Sequence, residues 1–245
     1  MHYHPRTLLI VAAGAALLSL LLGQARTKAA LLAIQTRWPF LSPLGIGAVA
    51  LIPMVWMSAI VQRYAVNVPM LDDWVMANLI VRQHHGQLTF ADLFVQQQEG
   101  RTLLPKLIFI ASAMSGIWDV RQQIMLSWVI AWLTCGGIFF VLWRSGVSRW
   151  QVAICFWLAV LCIFSPAQYE VWLLASGFFS FLPALFIVSG VVIVLLPVSV
   201  PVKFASCAVL AFASTFTLPH GLLAWALTFP VLLMSMGIAC CRECF

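Results

Sequence analysis

The residues best suited to chemistry lie in one stretch of the chain, and the first of them are two adjacent carboxylates, Asp72 and Asp73, followed by Trp74. A carboxylate held at a membrane surface can remove a proton from an acceptor hydroxyl, or help hold a divalent ion. Either role suits group transfer from a phosphate-linked donor. Both residues also stand near the start of an expected helix, where the dipole and free amides favour carboxylates, so helix capping is an equally physical reading of the pair. Further on, Gln96-Gln97-Gln98-Glu99-Gly100-Arg101 is followed by Leu104-Pro105-Lys106. Arg101 and Lys106 have the character of an anion site, with Glu99 orienting the guanidinium. The alternative is an interfacial pair touching lipid headgroups. A last group, Gln168-Tyr169-Glu170-Val171-Trp172, sets a lone carboxylate between apolar runs, where acidic residues are functional candidates. Thr89 and Asp92 fit a capping box, and His220 after Pro219 reads as a turn residue.

The elements that must position these residues are membrane helices. Of 245 residues, 63% are hydrophobic and 8% charged, and the mean hydropathy is +1.03. A soluble domain carries about 25% charged residues. Backbone groups in lipid must pair internally, so long apolar runs become helices or barrel strands. The runs here are continuous rather than alternating, which excludes the barrel. The net charge of +6 is no nucleic-acid signal, because the 13 Lys and Arg stand singly between apolar runs. The cysteines have neither zinc nor disulfide spacing. Cys135, Cys155, Cys162 and Cys207 lie inside apolar runs, and Cys240, Cys241 and Cys244 crowd the end as free thiols on a cytoplasmic tail, with palmitoylation or metal binding as alternatives.

A crossing takes about 20 apolar residues. Runs of this kind are Thr7 to Gly23, Leu44 to Gln62, Gln122 to Trp143, Gln151 to Ser165, Gly177 to Leu196, Phe204 to Pro219 and Gly221 to Ile238. Leu103 to Trp118, interrupted by Pro105 and Lys106, is short and is expected to dip into the interface without crossing. Arg26, Lys28 and Arg37 place the linker before Leu44 in the cytoplasm, and Arg144 and Arg149 mark the next cytoplasmic loop. The segment 64–121 is then an external loop. Residues 165–176 and the Pro219-His220 turn also fall outside, with Lys203 and Arg242 inside. This arrangement puts Asp72, Asp73, Asp92, Glu99, Asp119 and Glu170 outside, six of the seven acidic residues. Pro69 ahead of Leu71, Val75 and Leu79 predicts a short helix lying along the bilayer surface. Residues 1–43 read as a hydrophobic segment and basic cytoplasmic linker, and 44–245 as the bundle. The first run resembles a signal-peptide layout as well as an anchor; an uncleaved anchor is favoured.

In this order of parts the chain resembles the first half of a bacterial GT-C membrane glycosyltransferase, of the kind that uses a polyprenyl-phosphate sugar, related in layout to aminoarabinose transferases and protein mannosyltransferases. The resemblance covers about Leu44 to Leu233. In that class an acidic motif in the first external loop supplies the catalytic aspartate, which carries over to Asp72 or Asp73. An Asn-Glu-His-Arg pattern is matched at Glu99 and Arg101, while Gln98 and Gly100 depart from it and remove the imidazole. A Gln-x-Glu-x-x-Trp pattern is matched at Gln168, Glu170 and, one position early, Trp172. The resemblance implies an all-α, polytopic transmembrane bundle in the bacterial inner membrane. It implies transfer of a sugar from a polyprenyl-phosphate donor outside the cytoplasm, with Arg101 and Lys106 on the donor phosphate and Glu99, Gln168 and Glu170 in support. Its partners would be the lipid-linked donor and membrane lipids, not nucleic acid. Members of the class run considerably longer, which implies a C-terminal half or a partner subunit. A divalent metal ion is an open question. The alternative is a non-catalytic multi-pass protein that binds a lipid headgroup or an assembly partner.

Overall fold

The computed structural model describes residues 43–97, 100–114 and 118–243, without the side chains of 43–44 and 234–243. Thr7 to Gly23, the basic linker, Gln98 and Glu99 lie outside the described residues. Every regular element described is helical: α1 (Pro43–Val49), α2 (Leu51–Tyr64), α3 (Asp73–His84), α4 (Phe90–Phe94), α5 (Leu103–Met114), α6 (Val120–Arg144), α7 (Arg149–Ile163), α8 (Tyr169–Leu173), α9 (Phe178–Leu195), α10 (Val200–Thr215) and α11 (Leu223–Glu243), with single 3-10 turns at Pro166–Gln168, Ala175–Gly177 and Pro219–Leu222. The chain is an all-α, polytopic transmembrane bundle.

Four stretches are long and apolar enough to cross a bilayer: Gly45–Tyr64, Val120–Arg144, Arg149–Leu173 and Ala175–Leu195. They match four of the apolar runs read from the sequence. The third is broken near its end by the turn at Pro166, whose ring supplies no backbone N–H. Helix α10 has 16 residues, about 24 Å at 1.5 Å per residue, less than the roughly 30 Å hydrocarbon core. Helix α5 has 12 residues, about 18 Å, in keeping with an element that does not cross.

Helix α9 is central and packs on α6, α10 and α11, while α7 packs on α1, α2 and α6. Close approach is built on small residues. A Cβ on Gly137 would lie 2.5 Å from Val188, and one on Gly190 would lie 2.7 Å from Thr228. In lipid, where apolar side chains gain little by leaving their solvent, such backbone approach is the main source of helix association. The largest buried group is aromatic and sits toward the end expected to lie outside the membrane. Trp172 stacks on Phe164 at 5.1 Å and meets Phe181 at 4.6 Å, and Phe109 of α5 stacks on Phe178 of α9 at 6.5 Å. That contact seats α5 on the bundle.

Candidate functional site

The three segments expected outside the membrane meet at one end of the bundle. The first is tied to the second by Asp73. Its Oδ1 accepts from Ser176 N at 2.8 Å and Ser176 Oγ at 2.7 Å, and its Oδ2 from Ala175 N at 3.1 Å and Met70 N at 3.2 Å. The residue has no exposed surface. Buried carboxylates usually sit beside a cation; this one sits at two helix starts, its own α3 and the turn leading into α9, where unpaired N–H groups and the helix dipoles stabilise negative charge. The first segment is tied to the third by backbone. Leu104 N donates to Phe216 O at 3.2 Å, and Gly100 lies so close to Pro219 that a Cβ would stand 3.0 Å from its ring. Asn67 Oδ1 accepts from Val120 N at 2.9 Å, closing the first segment on the start of α6.

Neither aspartate acts as a helix cap in the usual sense. Asp72 occupies the N-cap position of α3 in helical backbone geometry and makes no side-chain capping bond. It is half-buried, so the two carboxylates differ: Asp73 is consumed by the fold, and Asp72 keeps access to the surface. The residue before them, Leu71, has φ 49°, the left-handed region that leucine rarely adopts. The expected grouping of Leu71, Val75 and Leu79 on one face does not hold. Leu79 is buried, whereas Leu71 and Val75 are exposed, because α3 begins at Asp73 and turns Met76 and Leu79 inward.

Lys106 requires a correction. The sequence places it with Arg101 on a donor phosphate, but it is 2% exposed and donates to Val95 O at 2.7 Å, Leu93 O at 3.4 Å and Asp92 O at 3.5 Å. Its three N–H groups thus close the C-terminal end of α4, whose last carbonyls have no partners within so short a helix. Burial pushes the ammonium pKa down, and the nearby Asp92 charge partly opposes this. Arg101, in contrast, is exposed and has no hydrogen bond or ion pair among the described residues. Glu99, expected to orient it, lies outside them.

The capping box at Thr89 and Asp92 is present. Asp92 Oδ2 accepts from Thr89 N at 2.8 Å and Thr89 Oγ1 at 2.7 Å, and Oδ1 accepts from Arg82 at 2.6 Å. The Thr89 hydroxyl, then its backbone N–H and the Arg82 guanidinium, hold the Asp92 pKa below the usual carboxylate value. In the second external segment Glu170 is exposed and accepts from the Tyr169 hydroxyl at 3.2 Å, while Gln168 Nε2 donates to Cys162 O at 3.4 Å. Trp172, read as part of the same motif, is wholly buried and belongs to the aromatic core. Among the described residues, no three His, Cys, Asp or Glu side chains are grouped to hold a metal ion.

Two residues with structural weight lie outside the motifs read from the sequence. Ser176 is the partner of Asp73 across 103 positions. Gln123, 1% exposed, accepts from Trp118 Nε1 at 3.0 Å and donates to Ser112 Oγ at 3.0 Å and Phe109 O at 3.4 Å. It thereby fixes α5 to α6. A glutamine in an apolar run marks a polar contact, though not its partner.

Fold and site together define a multi-pass helical membrane protein with a built, polar end. No known protein family, curated protein or solved structure matches the chain.

Proposed function

We propose that this external end is the reaction face of a glycosyltransferase-like protein of the bacterial inner membrane. It transfers a sugar from a polyprenyl-phosphate donor to an acceptor outside the cytoplasm. The observation that carries the reading is the division of labour between adjacent carboxylates: Asp73 is buried and anchors α3, and Asp72 is thereby held at the surface. In the reaction, Asp72 takes the proton of the acceptor hydroxyl. The acceptor oxygen bonds to the anomeric carbon as the carbon–oxygen bond to phosphate breaks, with inversion. The polyprenyl phosphate leaves with the electron pair, and Arg101 stabilises its charge. Glu170 and Gln168 contribute from the second external segment. Lys106 has no direct part.

The test is transfer of a labelled sugar from polyprenyl phosphate by purified protein in lipid. Asp72→Asn should lower turnover by about 100-fold or more, the usual scale for a general base, with a smaller loss of melting temperature than Asp73→Asn. Asp73→Asn should lower the melting temperature as well. Full turnover by Asp72→Asn in an otherwise active preparation would remove Asp72 from the mechanism.

A second reading is a non-catalytic protein whose external end binds a lipid headgroup or an assembly partner. It is favoured by the commitment of both Asp73 and Lys106 to the fold, which leaves fewer charged groups for chemistry. In this reading, Arg101→Ala weakens binding of anionic lipid and no transfer is detected from any donor.

A further inference from the structure

Helix α3 has two apolar faces, and one is uncovered. Met76 and Leu79 point into the bundle. On the side turned away from the bundle Trp74 is 61% exposed, Val75 51% and Val81 53%, and Leu71, just ahead of the helix, is 72% exposed. Leu71 adds a second peculiarity. It holds a left-handed backbone geometry suited to glycine, yet keeps a large apolar side chain turned outward.

Two observations identify what this face meets. The exposed apolar surface runs along the chain from Val55 and Trp56, on the outward side of the spanning helix α2, through Tyr64, Val66 and Val68 to Leu71. No charged side chain stands between Tyr64 and Leu71, so the stripe on α3 continues the surface that faces lipid. Cations flank the stretch: Arg63 lies over the Tyr64 ring at 5.8 Å, and Arg82, its partner Asp92 notwithstanding, keeps 40% of its side chain exposed. Apolar and tryptophan side chains between arginines match the boundary of acyl chains and phosphates.

We infer that α3 is seated in the non-cytoplasmic leaflet, with Leu71, Trp74, Val75 and Val81 in the region between headgroups and upper acyl chains; bilayer lipid is the partner of this face. The inference does not depend on any transfer reaction. It sets Asp72 at the depth of lipid phosphates, since Asp72 adjoins Leu71.

The test places the photo-crosslinker p-benzoylphenylalanine at Val75 in full-length protein reconstituted in phosphatidylethanolamine and phosphatidylglycerol vesicles. Adducts are identified by mass spectrometry after irradiation. Val129, exposed on the spanning helix α6, is the lipid-facing control, and Gln87, exposed in the loop after α3, is the aqueous one. Phospholipid adducts at Val75 should reach at least a third of the Val129 yield and exceed the Gln87 yield at least tenfold. Lipid adducts no higher than at Gln87 would overturn the inference. So would crosslinks from Val75 to residues 7–23 or to a second copy, which would assign the stripe to protein. Should the Val75 variant not fold, Val81, also exposed on α3, serves the same test.

Discussion

A carboxylate without exposed surface persists when enough N–H and O–H groups converge on it, and Asp73 has four such donors from three residues. Removing it leaves those donors buried and unpaired. Asp73→Ala should therefore lower stability by about 3 kcal/mol or more, since hydrogen bonds to charged groups contribute roughly 1.5–3 kcal/mol each. Thermal unfolding in detergent would measure this, and a change within error would show that the donors find other partners. Asp72→Ala, at a half-buried position with no side-chain capping bond, should lower stability less than Asp73→Ala. Asp92 gives a pH dependence with a definite sign. Its pKa is lowered in the fold relative to the ordinary 3.8, so its stabilising effect is fully present above that value and is lost as pH falls through the lowered one. Amide exchange in α4 should be flat from neutral pH down to about the unfolded carboxylate value, after correction for intrinsic rates, and rise below it. Loss of protection already near neutral pH would contradict the assignment.

At the level of elements, the external face depends on helices that do not cross. Helix α5 is held from three sides: by Phe109 on Phe178, by Gln123 from α6, and by Lys106 reaching under α4. Gln123→Leu keeps the volume but deprives Trp118 Nε1 of its acceptor. A buried group without its partner costs about 1–3 kcal/mol, and the unfolding midpoint should fall accordingly. An unchanged midpoint would mean that α5 is held by packing alone. The turn that receives Asp73 has its own requirement. A Cβ at Gly177 would stand 1.8 Å from Val171 O, a contact that backbone can relieve only by moving. Gly177→Ala should thus displace the Ala175–Gly177 turn and destabilise the fold by about 1–3 kcal/mol, as overpacking does. If the Asp73→Ala loss shrinks in the Gly177→Ala background, the two act on one structure.

For the whole molecule, the first segment, through Asp73, Gly100 and Leu104, meets residues 175–176 and 216–219 at one end, so these segments share one side, because segments on opposite faces of a bilayer could not touch. A cysteine at Gln87 should react with a membrane-impermeant thiol reagent in intact cells beyond the background of the native cysteines; equal labelling would reverse the orientation. Much of this was legible beforehand. Continuous apolar runs demand internally bonded helices wherever they occur, so four of the seven expected spans, the short α5 and the Thr89–Asp92 box followed from local composition and spacing, whereas the runs 204–219 and 221–238 are not among the described helices long and apolar enough to cross. The distinct roles of Asp72 and Asp73 did not, nor did the capture of Lys106 by α4 or the outward turn of Leu71. Adjacent aspartates are alike as residues, and Ser176 lies 103 positions from Asp73. By itself the sequence determined that the chain is a helical membrane protein, because hydrophobicity acts locally and adds along the chain. Tertiary structure alone decided which charged groups are consumed by the fold and which stay exposed, because that depends on donors and acceptors brought together from distant segments.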